Sequence, residues 1–372
     1  MLHRLEIQKI LLQIQEEYTD SKHCIAQLKQ AIYLADKHAD LSWAIDLRIM
    51  LIREERCSSS CIESPLAFAW LLEQARLHPD QLSESEFLEE YEWMICSAYG
   101  NVNIPLEQVH AIAADLEQKL EHFKFSKRSY YYTMAGFAQH LGDYELGGAY
   151  VVKAREEAMD DICGEAVVYD NEIESASRLR HFDEAIALMQ QMEYKKIRDF
   201  SLPFETYVSM GYFMVRYGDD RAAVYLEKAK EEFTQLPEVN SSLLYGLTRL
   251  IYALHLLGDE SLWHYYEIIA GWDMDAEDDL KLMLSRHMMF VLDQKEKKQL
   301  TLSPGVTFYQ EDGWYDLKEL SAAYKASAYD WAQRFDIRNG NTAAQEEIKR
   351  MEEENKRKNS YELQFRNPEN LA

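Results

Sequence analysis

Glycine and proline are scarce, at 14 and 7 in 372 residues. That is too little turn chemistry for a many-stranded protein and favours long helices with short connections. Cysteine is also sparse: five, an odd number, at 24, 57, 61, 96 and 163 with no Cys-x-x-Cys. This argues against a disulfide framework and suits buried thiols in a reducing compartment. No window reaches about 18 consecutive apolar residues, so no transmembrane span is expected. Met1–Arg4 opens directly into an amphipathic helix, with Glu6 where the apolar core of a signal peptide would lie, and a cytoplasmic protein is expected. Basic residues are outnumbered, 40 Lys and Arg against 65 Asp and Glu, for a formal charge of −25. Phosphate backbones and anionic membrane surfaces are bound by Lys and Arg, so neither nucleic acid nor membrane is expected as a partner. The acidic balance would draw a basic protein or peptide, besides keeping the surface soluble.

Apolar residues at 47% and aromatics at 12% are ample for a core and exclude wholesale disorder. The clearest stretch is Ser129–Met159. Tyr131, Met134, Ala135 and Ala138 form one helical stripe, Gly147, Tyr150, Val151 and Ala154 a second, and Leu141-Gly142-Asp143-Tyr144 turns between them. Small residues on both faces permit close approach, so the stretch reads as a helix hairpin. The turn recurs at Arg180-His181-Phe182-Asp183, Gly218-Asp219 and Gly258-Asp259. Positions 142, 180, 218 and 258 give steps of 38, 38 and 40 residues, the signature of a stacked helical array. Before this region helices are expected over 2–18, 21–38, 41–56, 65–77, 84–98 and 105–123, with Asp20 or Ser21 capping the second.

These residues resemble the tetratricopeptide repeat: an aromatic and a small residue in the first helix, Gly-Asp-Tyr-Glu at the turn, and Lys153-Ala154 near the end of the second. Gly147 stands where alanine is usual and Met159 where proline is usual, and no single repeat carries the full motif. The resemblance covers 128–260 best. It implies an all-α antiparallel helix-hairpin solenoid, divided as a helical region 1–125 (degenerate repeats or a bundle), repeats 126–271 and a helical cap 272–372 with a charged tail. It further implies a concave groove lined by the first helix of each hairpin. The residues sharing that face at i, i+4, i+7 and i+8 are Tyr132, Gln139 and His140; Asp170, Glu174 and Arg178; Tyr212 and Arg216; and Thr248, Tyr252 and His255. Tyr and Arg are frequent interface anchors, and Arg178 and Arg216, in equivalent places, could clamp a carboxylate bidentately. Alternatively each arginine pairs with a neighbouring acid such as Asp170, Glu174 or Glu205. The carboxylate clamp of chaperone-binding tetratricopeptide domains lacks its Lys and Asn here.

Beyond Trp272 the pattern changes. Glu311-Asp312-Gly313 between Val306–Tyr309 and Trp314-Tyr315 predicts a small β-hairpin or ordered loop near 306–315. Residues 342–358 form a charged helix with Glu346–Arg350, Glu352–Lys356, Glu353–Arg357 and Glu354–Lys358 at i, i+4. Its slight apolar face predicts a solvated terminal helix rather than a docking segment, followed by a loose tail at Arg366–Asn370.

Catalytic signatures are missing. HExxH, GxxxxGK[ST], GxGxxG and GxSxG do not occur. Cys57-x₃-Cys61 has no second pair to complete a zinc site. Asp160-Asp161, Asp219-Asp220 and Asp278-Asp279 lack calcium-loop spacing, and Asp219-Asp220 is better explained as helix-start charge. No enzyme activity, metal or cofactor is therefore expected. The reading is a non-enzymatic interaction protein holding a peptide or protein in its concave groove. A peptide-responsive bacterial regulator of Rap-like architecture and an acidic neutralising (immunity) protein for a basic toxin are the alternatives. An enzyme would require a polar cluster of perturbed groups in a pocket.

Overall fold

The computed structural model describes residues 2–16, 20–159, 162 and 164–365, with side chains to Arg357. Tyr18 and Thr19 of the first turn, the Asp160-Asp161 pair, Cys163, the Lys358 side chain and the tail Arg366–Asn370 lie outside the described residues. The chain is all-α with one small two-stranded sheet. Six helices precede the central hairpin: α1 (Leu2–Glu16), α2 (Ser21–Lys37), α3 (Leu41–Arg56), α4 (Ser64–Leu77), α5 (Leu88–Gly100) and α6 (Leu106–Phe123). Asp20 caps α2 by accepting from the His23 N–H at 2.8 Å, which satisfies one of the orphan donors at that end. Residues 84–87, expected within one helix with 88–98, form a separate 3₁₀ turn capped by Ser83 and Glu86.

Four helix pairs follow: α7 (Arg128–His140) with α8 (Tyr144–Glu156), α9 (Glu165–Arg178) with α10 (Phe182–Lys195), α11 (Phe204–Tyr217) with α12 (Ala222–Phe233), and α13 (Leu244–Leu257) with α14 (Leu262–Ile269). The partners in each pair pack on one another, as do α9 with α11 and α11 with α13, a helical-repeat-like arrangement. The four recurring turn residues share a left-handed backbone: Gly142 at φ 84, Arg180 at φ 65, Gly218 at φ 77 and Gly258 at φ 72. Three are glycine because a Cβ is disfavoured there. Arg180 adopts the same shape and lays its guanidinium 4.1 Å from the Tyr217 ring centroid.

The C-terminal part comprises α15 (Asp278–Val291), strands β1 (Lys297–Gln299) and β2 (Trp314–Asp316), α16 (Leu317–Asn339) and α17 (Ala343–Phe365). β1 and β2 pair antiparallel, Lys298 opposite Tyr315. The Asp-Gly turn is present, with Gly313 at φ 69, but Val306–Tyr309 is not its first strand. Buried Val306 lies against Gly271 and Phe308 meets Tyr315 and Tyr324 edge-on, so these apolar side chains pin a loop to the core and leave 297–299 to supply the pairing edge.

The terminal helix also departs from expectation. Ile348 and Met351 on α17 are fully buried, and Glu347 and Glu354 are 7% exposed. The narrow apolar stripe is enough because it is flanked by acids that find arginines inside the protein. The ion pairs seen along this helix, Glu347–Arg350 at 3.0 Å and Glu353–Lys356 at 2.7 Å, run i, i+3.

Two large cores result. One joins α1–α6 with Tyr130, Met134 and Phe137 of α7; the other runs from α9 through α17, so the repeats and the C-terminal helices share an interior. The chain then closes on itself. Arg338 of α16 donates to the carbonyls of Tyr99 at 2.7 Å and of Asn101 and Ile104 at 3.2 Å, satisfying the orphan acceptors at the end of α5 with a cation. The Glu277 N–H donates to the Ser59 carbonyl at 2.9 Å, and Lys22 pairs with Asp275. Among the described residues no helix is long and apolar enough to cross a membrane.

Candidate binding cavity on the inner helix face

Closure of the chain leaves a cavity of about 430 Å³ walled by α5, α7, α8, α9, α11, α13, α15, α16 and α17. Four arginines reach it, one from each of α9, α11, α13 and α15: Arg178, Arg216, Arg249 and Arg286. Glu174, Asp279 and Glu347 supply the acids, and Tyr99, Tyr144, Phe213 and Phe335 supply rings.

The arginines differ in their engagement. Glu174 accepts from Arg178 Nη2 at 2.7 Å and from Arg249 at 3.0 and 3.1 Å. Burial alone would raise its pKa, but Arg249 and Arg178 hold it far below the usual carboxylate range. Arg249 also donates to Ser209 at 2.8 Å and to the Tyr245 hydroxyl. Arg216 forks onto Glu354 at 2.8 and 3.0 Å, pairs with Glu347 at 2.8 Å and donates to the Tyr212 hydroxyl at 2.7 Å. Burial opposes the Glu347 charge, yet Arg216, Arg286 and Arg350 bring its pKa down to about 2. Arg286 has no salt bridge among the described residues, and its buried Nε has no hydrogen-bond partner. The buried Arg178 Nε is likewise unpartnered.

Neutral groups continue the network. Burial and Arg286 press His287 well below its ordinary pKa, so the neutral ring accepts from Tyr212 Oη at 2.9 Å and donates Nδ1–H to the Met283 carbonyl at 2.6 Å. His140 is lowered to about 3 by burial, Arg338 and Arg286, and accepts from Arg338 Nη2 at 3.2 Å. Asp279 and Glu277 are pushed upward, first by burial and then by neighbouring acids.

Of the expected face, Gln139, His140, Glu174, Arg178, Tyr212 and Arg216 line the cavity. The others lie elsewhere. Tyr132 is buried between α7 and α9, donating to Glu172 at 2.9 Å. Asp170 accepts from Thr206 at 2.6 Å, and burial together with the charge of Glu174 raises it to about 7. Thr248 is fully buried. Tyr252 and His255 are covered by α17, meeting Asn355 at 2.8 and 3.0 Å. The arginine pairing matches expectation at one position only: Arg178 takes Glu174 from its own helix, one of the neighbouring acids expected for it, whereas Arg216 takes two carboxylates from α17 that were not among them.

The helical spacing missed Arg249 and Arg286 because it followed columns one residue out of phase on α13 and stopped before α15. A signal existed. Arg249 is the one formally charged residue of LYGLTRLIYALHLL, and Arg286 lies between the apolar runs Leu282–Leu284 and Met288–Val291; a charge in such a setting rarely lacks a purpose. Among the described residues Cys24, Cys57, Cys61 and Cys96 are free thiols. Neither any protein-family model nor any curated protein matches this chain.

Proposed function

We propose that the chain is a non-enzymatic, cytoplasmic interaction protein of tetratricopeptide-like class that receives an acidic peptide or protein segment on the inner face of its helical array. One observation carries this reading. Glu347 and Glu354 of α17 are seated on Arg216, so this face already holds an acidic segment of its own chain through bidentate guanidinium contacts, the strongest type of polar grip available to it. The basic partner suggested by net charge is not what these arginines would hold; they favour an acidic one.

A display screen of random twelve-residue peptides against the immobilised full chain tests the reading. Acidic sequences should enrich, and the Arg178→Met variant should bind them at least about tenfold less well, the scale of one lost charged contact. Absence of enrichment over an unrelated helical protein, or equal binding by the variant, would rule the reading out.

A further inference from the structure

The cavity has one cation more than its own acids engage. Arg216 is held by two carboxylates, Arg249 and Arg178 share Glu174, and Arg286 has no salt bridge among the described residues. Two forks, Arg286 and Arg178, each keep a buried Nε–H without an acceptor. An unpaired donor at such depth is costly unless a ligand completes it. Asp279, Met283 and Arg286 lie at i, i+4 and i+7 on one face of α15, and all three line the cavity.

Charge and size narrow what fits. Glu174, Asp279 and Glu347 in the same wall would repel a polyanion such as a polyphosphate, whereas a single carboxylate matches the one cavity guanidinium that forms no salt bridge among the described residues. Its planar fork is complementary to a carboxylate. A volume of about 430 Å³ falls in the range of about 300–1,000 Å³ typical of small-ligand sites.

We propose that this cavity is a carboxylate receptor: Arg286 takes the terminal carboxylate of a short ligand, Arg178 offers the second Nε–H, and the rings of Tyr99 and Phe213 wall the group that bears it. Either a peptide C-terminus or a small free carboxylic acid would present this chemistry. The inference rests on the inner face being a binding surface, but it draws on Arg286 rather than on the α17 contacts.

The test uses the full chain with three probes: a pool of N-acetylated tripeptides with free carboxylates, the same pool as carboxamides, and succinate. Binding is read by calorimetry and by the arginine ¹H–¹⁵Nε NMR signals, with Arg286 assigned through Arg286→Gln. The free-acid pool should bind at least tenfold more tightly than the amides and shift the Arg286 signal. Arg286→Gln should abolish this binding, and Arg286→Lys, which keeps charge without the fork, should restore only part. Thermal unfolding of both variants should remain one cooperative transition, Arg286→Lys near wild type and Arg286→Gln somewhat lower because the charge that favours ionised Glu347 is gone. If succinate alone binds and shifts the same signal, the carboxylate receptor stands and the peptide reading of the inner face falls. Peptides that bind equally as acids and amides would overturn the carboxylate receptor and leave the peptide reading in place. No binding by any probe, or full binding by Arg286→Gln, overturns the inference.

Discussion

Arg178 and Arg216 stand at the ends of successive inner helices, 38 residues apart, and their surroundings are opposite. Arg178 borders the open cavity, bonded to Glu174 one turn earlier on α9 and shared with Arg249. Arg216 is sealed beneath α17, its side chain 4% exposed, against two carboxylates that lie more than 130 residues further along the chain. Equivalent positions in the array therefore do not share an environment. What differs is whether another part of the chain arrives to cover them: Arg178 keeps a partner from its own helix, and Arg216 is covered by α17.

The largest perturbation of this contrast should come from Arg216→Met, which strands Glu347 and Glu354 as buried charges. A loss of about 3–5 kcal/mol in urea-unfolding free energy is expected, the range for breaking a buried ion pair by removing one partner. A loss below about 1 kcal/mol would mean that α17 is not held by this contact.

The two sides should also separate by pH. Asp170, on α9, titrates near 7 in the fold against an ordinary 3.8. It keeps a proton that the unfolded chain has already released, so its contribution is complete below about pH 4 and fades as pH rises through 7. At roughly 1.4 kcal/mol per unit of mismatch, the decline is on the order of 4 kcal/mol, and Asp170→Asn should flatten it. Glu347, on the α17 side, has the opposite sign: its folded value of about 2 lies below the ordinary 4.5. Its contribution is present above that ordinary value and is lost as pH falls through about 2. Stability should thus be greatest near pH 4, between the two ordinary values, with Asp170→Asn changing only the alkaline side and Glu347→Gln only the acid side. Unfolding curves across pH 2–8 would check both.

Arg178→Met should cost less than Arg216→Met, about 1.5–3 kcal/mol for one charged hydrogen bond, because Arg249 still holds Glu174. If the two variants lose equal stability, the asymmetry between the sides is wrong. The smallest effects belong to the turns after these helices. Gly218→Ala, forcing a Cβ into φ 77, should cost about 1 kcal/mol. Arg180→Gly relieves the same strain but loses the ring contact to Tyr217, worth about 0.5–1 kcal/mol at a partly exposed position, so its melting temperature should move little.

Much of the helical framework was legible in advance because its causes are local. Asp20 caps α2 through a bond three residues away, α3 ends where Cys57 and the serines interrupt the apolar phase, and Gly142, Gly218 and Gly258 mark sharp stops. The cavity was only half legible. Gln139, Glu174, Arg178 and Arg216 follow from periodicity within a repeat, but Arg286 belongs to the helix after the last recognised turn. The β-hairpin shows the same boundary: Asp312-Gly313 announced a turn, while the choice of Lys297–Gln299 over Val306–Tyr309 as partner depended on which segment the core claimed.

Helix type, helix ends, the period of the turns and the overall charge balance were determined by the sequence alone, since each depends on interactions within a few residues or on simple composition. Which arginine is covered and which remains open was decided only by the tertiary structure. Burying Ile348 and Met351 of α17 carries Glu347 and Glu354 to Arg216, and the return of α16 to α5 encloses Arg286. Those contacts join residues separated by most of the chain, and no local pattern encodes the energy of a pairing whose partners meet only once the array has closed.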